Sequence, residues 1–182
     1  IFKIIFLIFF FKISNLYSDE FKFESSEIQI LDNGNLLKAK NGVKIISDDG
    51  VIINADKVEY NKISLKLIAE GEVKIFDTIN EINISAPKII YHKDKDVIYS
   101  EGKTDGIIKK IYNLETKNII LDRKNMQAIS KNKTTIFDDE NNFFISKEFK
   151  YLMSDKLIKV DELEFINSIN DKFFFKDAFV NI

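Results

Sequence analysis

Asn54-Ala55-Asp56-Lys57-Val58-Glu59-Tyr60, followed by Leu67-Ile68-Ala69-Glu70-Gly71-Glu72-Val73-Lys74-Ile75, is the stretch whose reading decides the fold. Shifted by 31 positions it returns as Ser85-Ala86-Pro87-Lys88-Ile89-Ile90-Tyr91 and then Ile98-Tyr99-Ser100-Glu101-Gly102-Lys103-Thr104. Shifted back by 30 it overlays Leu37-Lys38-Ala39-Lys40-Asn41-Gly42-Val43-Lys44-Ile45, with Ile28 and Ile30 where Val58 and Tyr60 stand. Self-similarity at such a period marks a repeat architecture, in which each unit buries its apolar face only by stacking on its neighbours.

Inside the unit, Leu65, Leu67 and Ala69 alternate with Lys66, Ile68 and Glu70, and Val73 and Ile75 flank Lys74. Alternation with period two means a strand with one buried and one solvated face. Gly71 and Gly102 fall where the alternation changes phase, as a bend or bulge requires, and a second slip falls at Asp56-Lys57. Each repeat is therefore read as two bent strands. No window of helical length carries a 3.6 period. Ser154 to Phe165 comes nearest, but Val160-Asp161-Glu162-Leu163-Glu164-Phe165 overlays Ala55 to Tyr60 and is read as strand. A further copy runs through Phe173-Phe174-Phe175, Ala178 and Val180. Between about Ile107 and Phe149 the pattern loosens, with strands expected at Ile107–Ile111, Asn118–Leu121, Met126–Ile129, Thr134–Phe137 and Asn142–Ile145. Asp138-Asp139-Glu140-Asn141-Asn142 is the expected hairpin tip. The expectation is an all-β stack of bent antiparallel strands, a solenoid or jelly roll with an inner apolar seam and open strand edges at its ends.

Length and composition agree with one domain. The 182 residues are 31% charged and 45% hydrophobic, and the formal net charge of -2 gives no support to a nucleic-acid partner. Among the 27 basic residues only Arg123 is arginine, so bidentate phosphate clamps are not expected. Without cysteine there is no disulfide, thiolate metal site or cysteine nucleophile. With one proline and six glycines, turns must rest on Asn and Asp, as in Asp32-Asn33-Gly34-Asn35 and Asp48-Asp49-Gly50.

The first residues set an expected compartment. Lys3, the apolar run Ile4 to Phe11, Lys12 and the small residue Ser18 before Asp19-Glu20 have the three parts of an export leader, residues 1–18, with cleavage after Ser18. The run is short of the roughly 20 apolar residues that span a membrane. The domain is then expected over 19–182, on the periplasmic side. The last residues, Phe179-Val180-Asn181-Ile182, stop inside an apolar alternation, and further chain is expected beyond them.

Reaction chemistry finds little foothold, and the chain is read as a non-enzyme without cofactor or metal. His92 is the only histidine and is read as a solvated turn residue. Asp48-Asp49, Asp94 with Asp96, and Asp138-Asp139-Glu140 lack the spacing of a calcium loop and are read as solvated turns. Gly102-Lys103-Thr104 has Val97 where a phosphate-binding loop needs its first glycine and is read as a turn.

The Ala-Asp-x-Val-x-Tyr block at Ala55–Tyr60, with Ala69 and Gly71-Glu72-Val73 after it, resembles the OstA-like repeat of the lipopolysaccharide transport proteins. Ala86, Ile89, Tyr91 and Gly102 match it a second time, with Pro87 in the Asp place and Thr104 in the Val place. The match covers Ser25 to Ile111 well and the remainder weakly. Within the family the chain looks most like the periplasmic N-terminal part of the outer-membrane assembly protein, with the stand-alone periplasmic bridge protein as the alternative. Cysteines that many members carry are missing here. The resemblance implies a β-jelly roll, also called a β-taco, that holds the acyl chains of lipopolysaccharide in its interior. It also implies edge-to-edge strand pairing with the bridge, a following outer-membrane barrel, and an outer-membrane lipoprotein partner of that barrel. The interior lining would be Ile53, Ala55, Val58, Tyr60, Leu67, Ala69, Val73, Ile75, Ile84, Ala86, Ile89, Tyr91 and Ile98. Small residues such as Ala55, Ala69, Ala86 and Ser100 would leave space for the chains. A purely structural β-solenoid with a filled interior is the competing reading. A β-helical polysaccharide enzyme, which needs clustered carboxylates on one groove face, ranks last.

Overall fold

The computed structural model describes residues 21–181, and among these there is no α-helix. The expected export leader lies outside the described residues. Five long strands open the stack, each antiparallel to the next: β1 (Phe21–Leu31), β2 (Leu36–Ser47), β3 (Val51–Asn61), β4 (Lys66–Asp77) and β5 (Ile82–His92). Eight short ones follow: β6 (Val97–Glu101), β7 (Lys103–Ile108), β8 (Tyr112–Lys117), β9 (Ile120–Asp122), β10 (Gln127–Ser130), β11 (Thr134–Phe137), β12 (Phe143–Ser146) and β13 (Glu148–Leu152). Two long strands close it, β14 (Leu157–Ile166) and β15 (Lys172–Asn181), and all 15 belong to one sheet.

The short strands are the halves of bent ones. β6 pairs with the Lys88 to His92 half of β5 and β7 with its Ile82 to Ser85 half, on either side of Gly102. β8 then pairs with β7 and β9 with β6, and further along β14 pairs with β12 through one half and β13 through the other. The sheet is thus folded lengthwise into two leaves. Leaf one holds β6, β9, β10, β13 and the adjoining halves of the long strands; leaf two holds β7, β8, β11, β12 and the remaining halves. They meet along a crease, and opposite the crease the turns of the two leaves face each other across a mouth.

The crease is where the sequence slips phase. Register breaks fall at Ser25/Glu27, Lys40/Val43, Asn54/Lys57 and Glu70/Val73, which includes the expected corners at Asp56-Lys57 and Gly71. Asn41, Gly42, Gly71, Glu72, Gly102 and Glu162 all take positive φ there, which interrupts the ladder and turns the strand. Gly71 is required twice over. Its φ is +79°, and a Cβ would come within 2.8 Å of the Asp56 Cβ besides striking its carboxylate. Pro87 lies at the crease between the paired residues Ala86 and Lys88, so its missing N–H removes no ladder bond.

On the inner side the alternating residues of both leaves form one apolar cluster from Phe21 to Leu163, with Phe165, Ala178 and Val180 packed against it. The expected tip at Asp138 to Asn142 is confirmed: Asp138 Oδ1 accepts from the Asn142 and Glu140 amides at 2.9 and 3.0 Å. Val160 to Phe165, read as strand, lies in β14, and Ser154 to Lys156 form the turn before it.

Three expectations are corrected. Ile107–Ile111 is not a strand: β7 ends at Ile108, and residues 109–111 are a turn in which Lys109 and Lys110 have positive φ. Asn118–Leu121 straddles a crease, and the strand before it, β8, went unread because its inward positions are Leu114 and the polar Thr116. His92 is the last residue of β5, half-buried against Tyr99 with ring centroids 5.8 Å apart.

The crease geometry sets a measurable contrast. Gly71→Ala must pay left-handed strain and displace Asp56, together about 2–4 kcal/mol. Gly34→Ala, with φ +92° but nothing within 4 Å of its Cβ, should lose only about 1 kcal/mol. Urea unfolding midpoints of the two variants compare them; equal losses would show that Asp56 yields freely.

Candidate functional site

The thirteen residues expected to line the interior, namely Ile53, Ala55, Val58, Tyr60, Leu67, Ala69, Val73, Ile75, Ile84, Ala86, Ile89, Tyr91 and Ile98, are all buried in the one apolar cluster. They pack against one another. The small side chains Ala55, Ala69, Ala86 and Ser100 stand beside the crease, where the leaves converge. Ser100 Oγ lies 2.7 Å from Thr104 Oγ1 and accepts from the Ile119 amide at 2.8 Å, so no slot opens beside it. An interior void of ≈ 10 Å³, lined by Tyr112, Ile136, Phe144, Ile158, Val160 and Val180, is less than a single acyl chain needs.

Among the described residues, both end strands leave inward side chains exposed. Ile28 and Ile30 of β1 pair with the inward Ala39 and Leu37, yet are 41% and 68% exposed. Phe173 and Phe175 of β15 pair with the inward Phe165 and Leu163 and are 44% and 48% exposed. Phe144, Phe165 and Phe173 form an aromatic file toward that end, with centroids 4.9 and 5.9 Å apart. Among the described residues, β1 pairs only with β2 and β15 only with β14, so each presents a free edge.

The mouth holds the polar cluster that the sequence reading missed. Arg123, in the leaf-one turn after β9, is 5% exposed and reaches across to leaf two. Its Nε donates to Asp77 Oδ2 at 2.9 Å, its Nη1 to Asp49 Oδ2 at 3.0 Å, and its Nη2 to the Asp49 carbonyl at 2.8 Å. On its own leaf Nη1 also donates to Asp96 Oδ1 at 2.6 Å. The Tyr91 hydroxyl donates to Asp96 at 2.8 Å and lies 3.2 Å from Asp49 Oδ2. Lys93, in the preceding leaf-one turn, bonds Ser47 Oγ, Asp48 and Asp49 of leaf two and stands 5.6 Å over the Phe21 ring. Phe21 meets Tyr60 edge-on at 5.0 Å and Tyr91 at 5.7 Å, which seals the mouth on the β1 side.

Asp49 and Asp96 are therefore not solvated turn residues, and the lone arginine is a buried clamp. Its carboxylate partners come from three separate turns, so no local motif announces it. The repeat itself carries the signal: Lys62, Lys93 and Arg123 occupy one position of successive units, each two residues after Tyr60, Tyr91 and Leu121. Removing Arg123 alone would leave the fully buried Asp77 carboxylate without its counter-charge, held only by hydrogen bonds from Ile79 and Asn80, a change that costs about 3–5 kcal/mol in comparable buried pairs.

The four carboxylates Asp48, Asp49, Asp77 and Asp96 meet at this rim, but the two cations occupy them. Among the described residues, no group of His, Cys, Asp and Glu could hold a metal ion. Outside the leaves, a groove of ≈ 400 Å³ is crossed by paired charges, Lys38–Glu59, Lys40–Glu27 and Lys57–Glu70, each at 2.8 Å, and offers no unmatched charge to an ionic ligand. No protein-family model matches the chain, and no curated protein sequence matches it.

Burial alone would raise the Asp49 carboxyl, but hydrogen bonds from Lys93 and Ser47 and the nearby Arg123 charge outweigh it and hold the group well below the usual carboxylate range. The folded pKa thus lies under the unfolded one of about 3.9, so the stabilisation is complete above that value and is lost as pH falls below it. Thermal midpoints should fall as pH drops from about 5 to about 2, and Asp49→Asn should flatten that slope. An unchanged slope in the variant would remove Asp49 from the acid response.

Proposed function

We propose that this domain is a lipid-conducting module of the OstA-like type, which carries lipopolysaccharide by its acyl chains through the apolar interior between the leaves. The observation that carries the reading is the uncapped interior. A stack built to stand alone covers its apolar seam with polar end strands. This one ends in inward Ile28 and Ile30 at one side and Phe173 and Phe175 at the other, all exposed. An apolar path that is closed along its length and uncovered at both ends suits a ligand passed from one stack to the next.

The same ends give the mode of joining. β1 and β15 both run from leaf two to leaf one, so a like domain added end to end would place the two edge strands parallel. On this reading one edge receives an LptA-like periplasmic bridge by strand pairing and the other leads toward an LptD-like barrel with its LptE-like lipoprotein. The alternative within the family is that the chain is itself the bridge. Export by the leader would place the domain at the periplasmic face of the outer membrane.

One observation favours a second reading. The small void and the close packing of the thirteen lining residues suit a structural β-solenoid whose interior stays filled. Site-specific photo-crosslinking in cells separates the two. A crosslinker at Tyr60, Leu67 or Tyr91 should capture lipopolysaccharide, whereas one at the outward Glu59 or Lys66 should not. Capture at neither set, or equally at both, favours the filled solenoid.

A further inference from the structure

The two leaves are joined differently along their two lines of contact. At the crease the chain itself passes from leaf to leaf in every strand. At the mouth, among the described residues, no backbone hydrogen bond crosses: the turn-to-turn bonds Thr78 N to the Gly50 carbonyl, Lys93 N to Leu65, Lys109 N to Glu81 and Arg123 N to Asp96 each stay within one leaf. Only side chains cross, chiefly those of Arg123, Lys93 and Tyr91, together with the Phe21 ring contacts.

The crease also changes character along the stack, and the change falls between the two sides of that clasp: Asp48, Asp49 and Asp77 adjoin continuous strands, Asp96 and Arg123 interrupted ones. In β1 to β5 the strands run through it unbroken, beside Ala39, Ala55, Ala69 and Ala86. From β6 to β13 every strand is interrupted there, and the inner side is lined by hydroxyls. Ser100 bonds Thr104, and Thr116 lies 2.8 Å from Ser130 and 2.9 Å from Thr134. Hydroxyls exchange such partners with small rotations, whereas a continuous ladder resists bending. The interrupted rungs include β6, β9 and β10, whose turns carry Asp96 and Arg123.

We infer that the middle of the stack is a hinged side gate, with its hinge at the hydroxyl-lined crease and its clasp in the Arg123 cluster at the mouth, through which acyl chains gain the interior from the side. This rests on the lipid-conducting reading for its cargo, but not for its motion. The closed interior cannot hold a chain unless its walls separate. The clasp is the line where separation breaks side-chain contacts alone. Among the described residues, Arg123 and Lys93 face the carboxylates Asp48, Asp49, Asp77 and Asp96 there, and Asp49 Oδ1 is buried without a hydrogen-bond partner. An ionic closure of this kind is a fitting place for leaves that part, because water hydrates the separated charges.

The chain has no cysteine, so thiols introduced at the exposed Ile79 on leaf two and Asp94 on leaf one can be labelled cleanly. Pulsed electron paramagnetic resonance on nitroxides at Ile79→Cys/Asp94→Cys should give one narrow distance. Adding Asp77→Asn/Arg123→Gln, which keeps amides able to bond each other, should add a longer population, while Glu162→Gln at the exposed crease pair with Lys147 should add none. An unchanged distribution in the clasp variant, with circular dichroism still that of the folded sheet, overturns the gate. If the clasp variant does not fold, a short bismaleimide joining the same two thiols decides: lipopolysaccharide capture at Leu67, which is outside the clasp, should fall at least tenfold in the locked protein, and undiminished capture overturns the gate. Leaves that part in the clasp variant while no residue captures lipopolysaccharide would leave the gate standing and remove the cargo.

Discussion

The constraint on which the rest of this structure depends is that every strand must turn a corner at the same height. A strand that stayed straight would put one apolar face to solvent. By slipping phase once, through residues of positive φ such as Gly71 and Glu72 or an unpaired Pro87, each strand directs the inward residues of both its halves toward one seam. One sheet then encloses its own core, with no α-helix or second sheet among the described residues to cover it. Stacking does the remainder, because the inward residues of each bent strand are covered only by those of the next.

That dependence explains why so much of the fold was legible. Alternation names the inward residues, and its interruptions at Asp56-Lys57, Gly71 and Gly102 name the corners, so thirteen inward residues were placed from the sequence alone and all are buried. Legibility failed where inward positions turn polar. Ser100, Thr104, Thr116, Ser130 and Thr134 are buried and satisfy one another's hydroxyls, but in a linear reading they weaken the contrast between faces. The strand β8 was lost for that reason, and the boundaries of β7 and β9 slipped.

The Arg123 cluster failed for a different reason. Arg123 and its carboxylate partners Asp49, Asp77 and Asp96 are separated by 19 to 74 positions and meet only because successive turns stack at the mouth. Each looks like an ordinary turn residue in isolation: an Asp before a glycine, an Asp after a lysine, an arginine among Lys and Asn. Burial of that cluster is a property of the stack, and so is the strong retention of charge on Arg123: burial opposes its charge, but Asp77 and the other carboxylates around it more than restore it. The interior could be read from one strand at a time, whereas the mouth required two turns on each leaf to be in place.

Interior and mouth together pose a physical question that composition alone would not. The stack could have closed its mouth with apolar side chains throughout, as it does with Phe21, Tyr60 and the half of the stack near Met153 and Ile108. A well-packed apolar seal is commonly as stable as a buried ion cluster or more so, because removing charges from water is costly. Placing charges at the central rungs therefore gives up some cohesion there while making closure specific: Arg123 fits Asp77 and Asp49 in one alignment of the leaves, whereas apolar surfaces slide. Solvent that reaches parted leaves hydrates the freed carboxylates and cations, which lowers the cost of opening, and offers nothing to an exposed apolar seal. The ionic rungs are thus the part of the mouth whose open state water stabilises, and on the Arg123 side they belong to strands that are already broken at the crease.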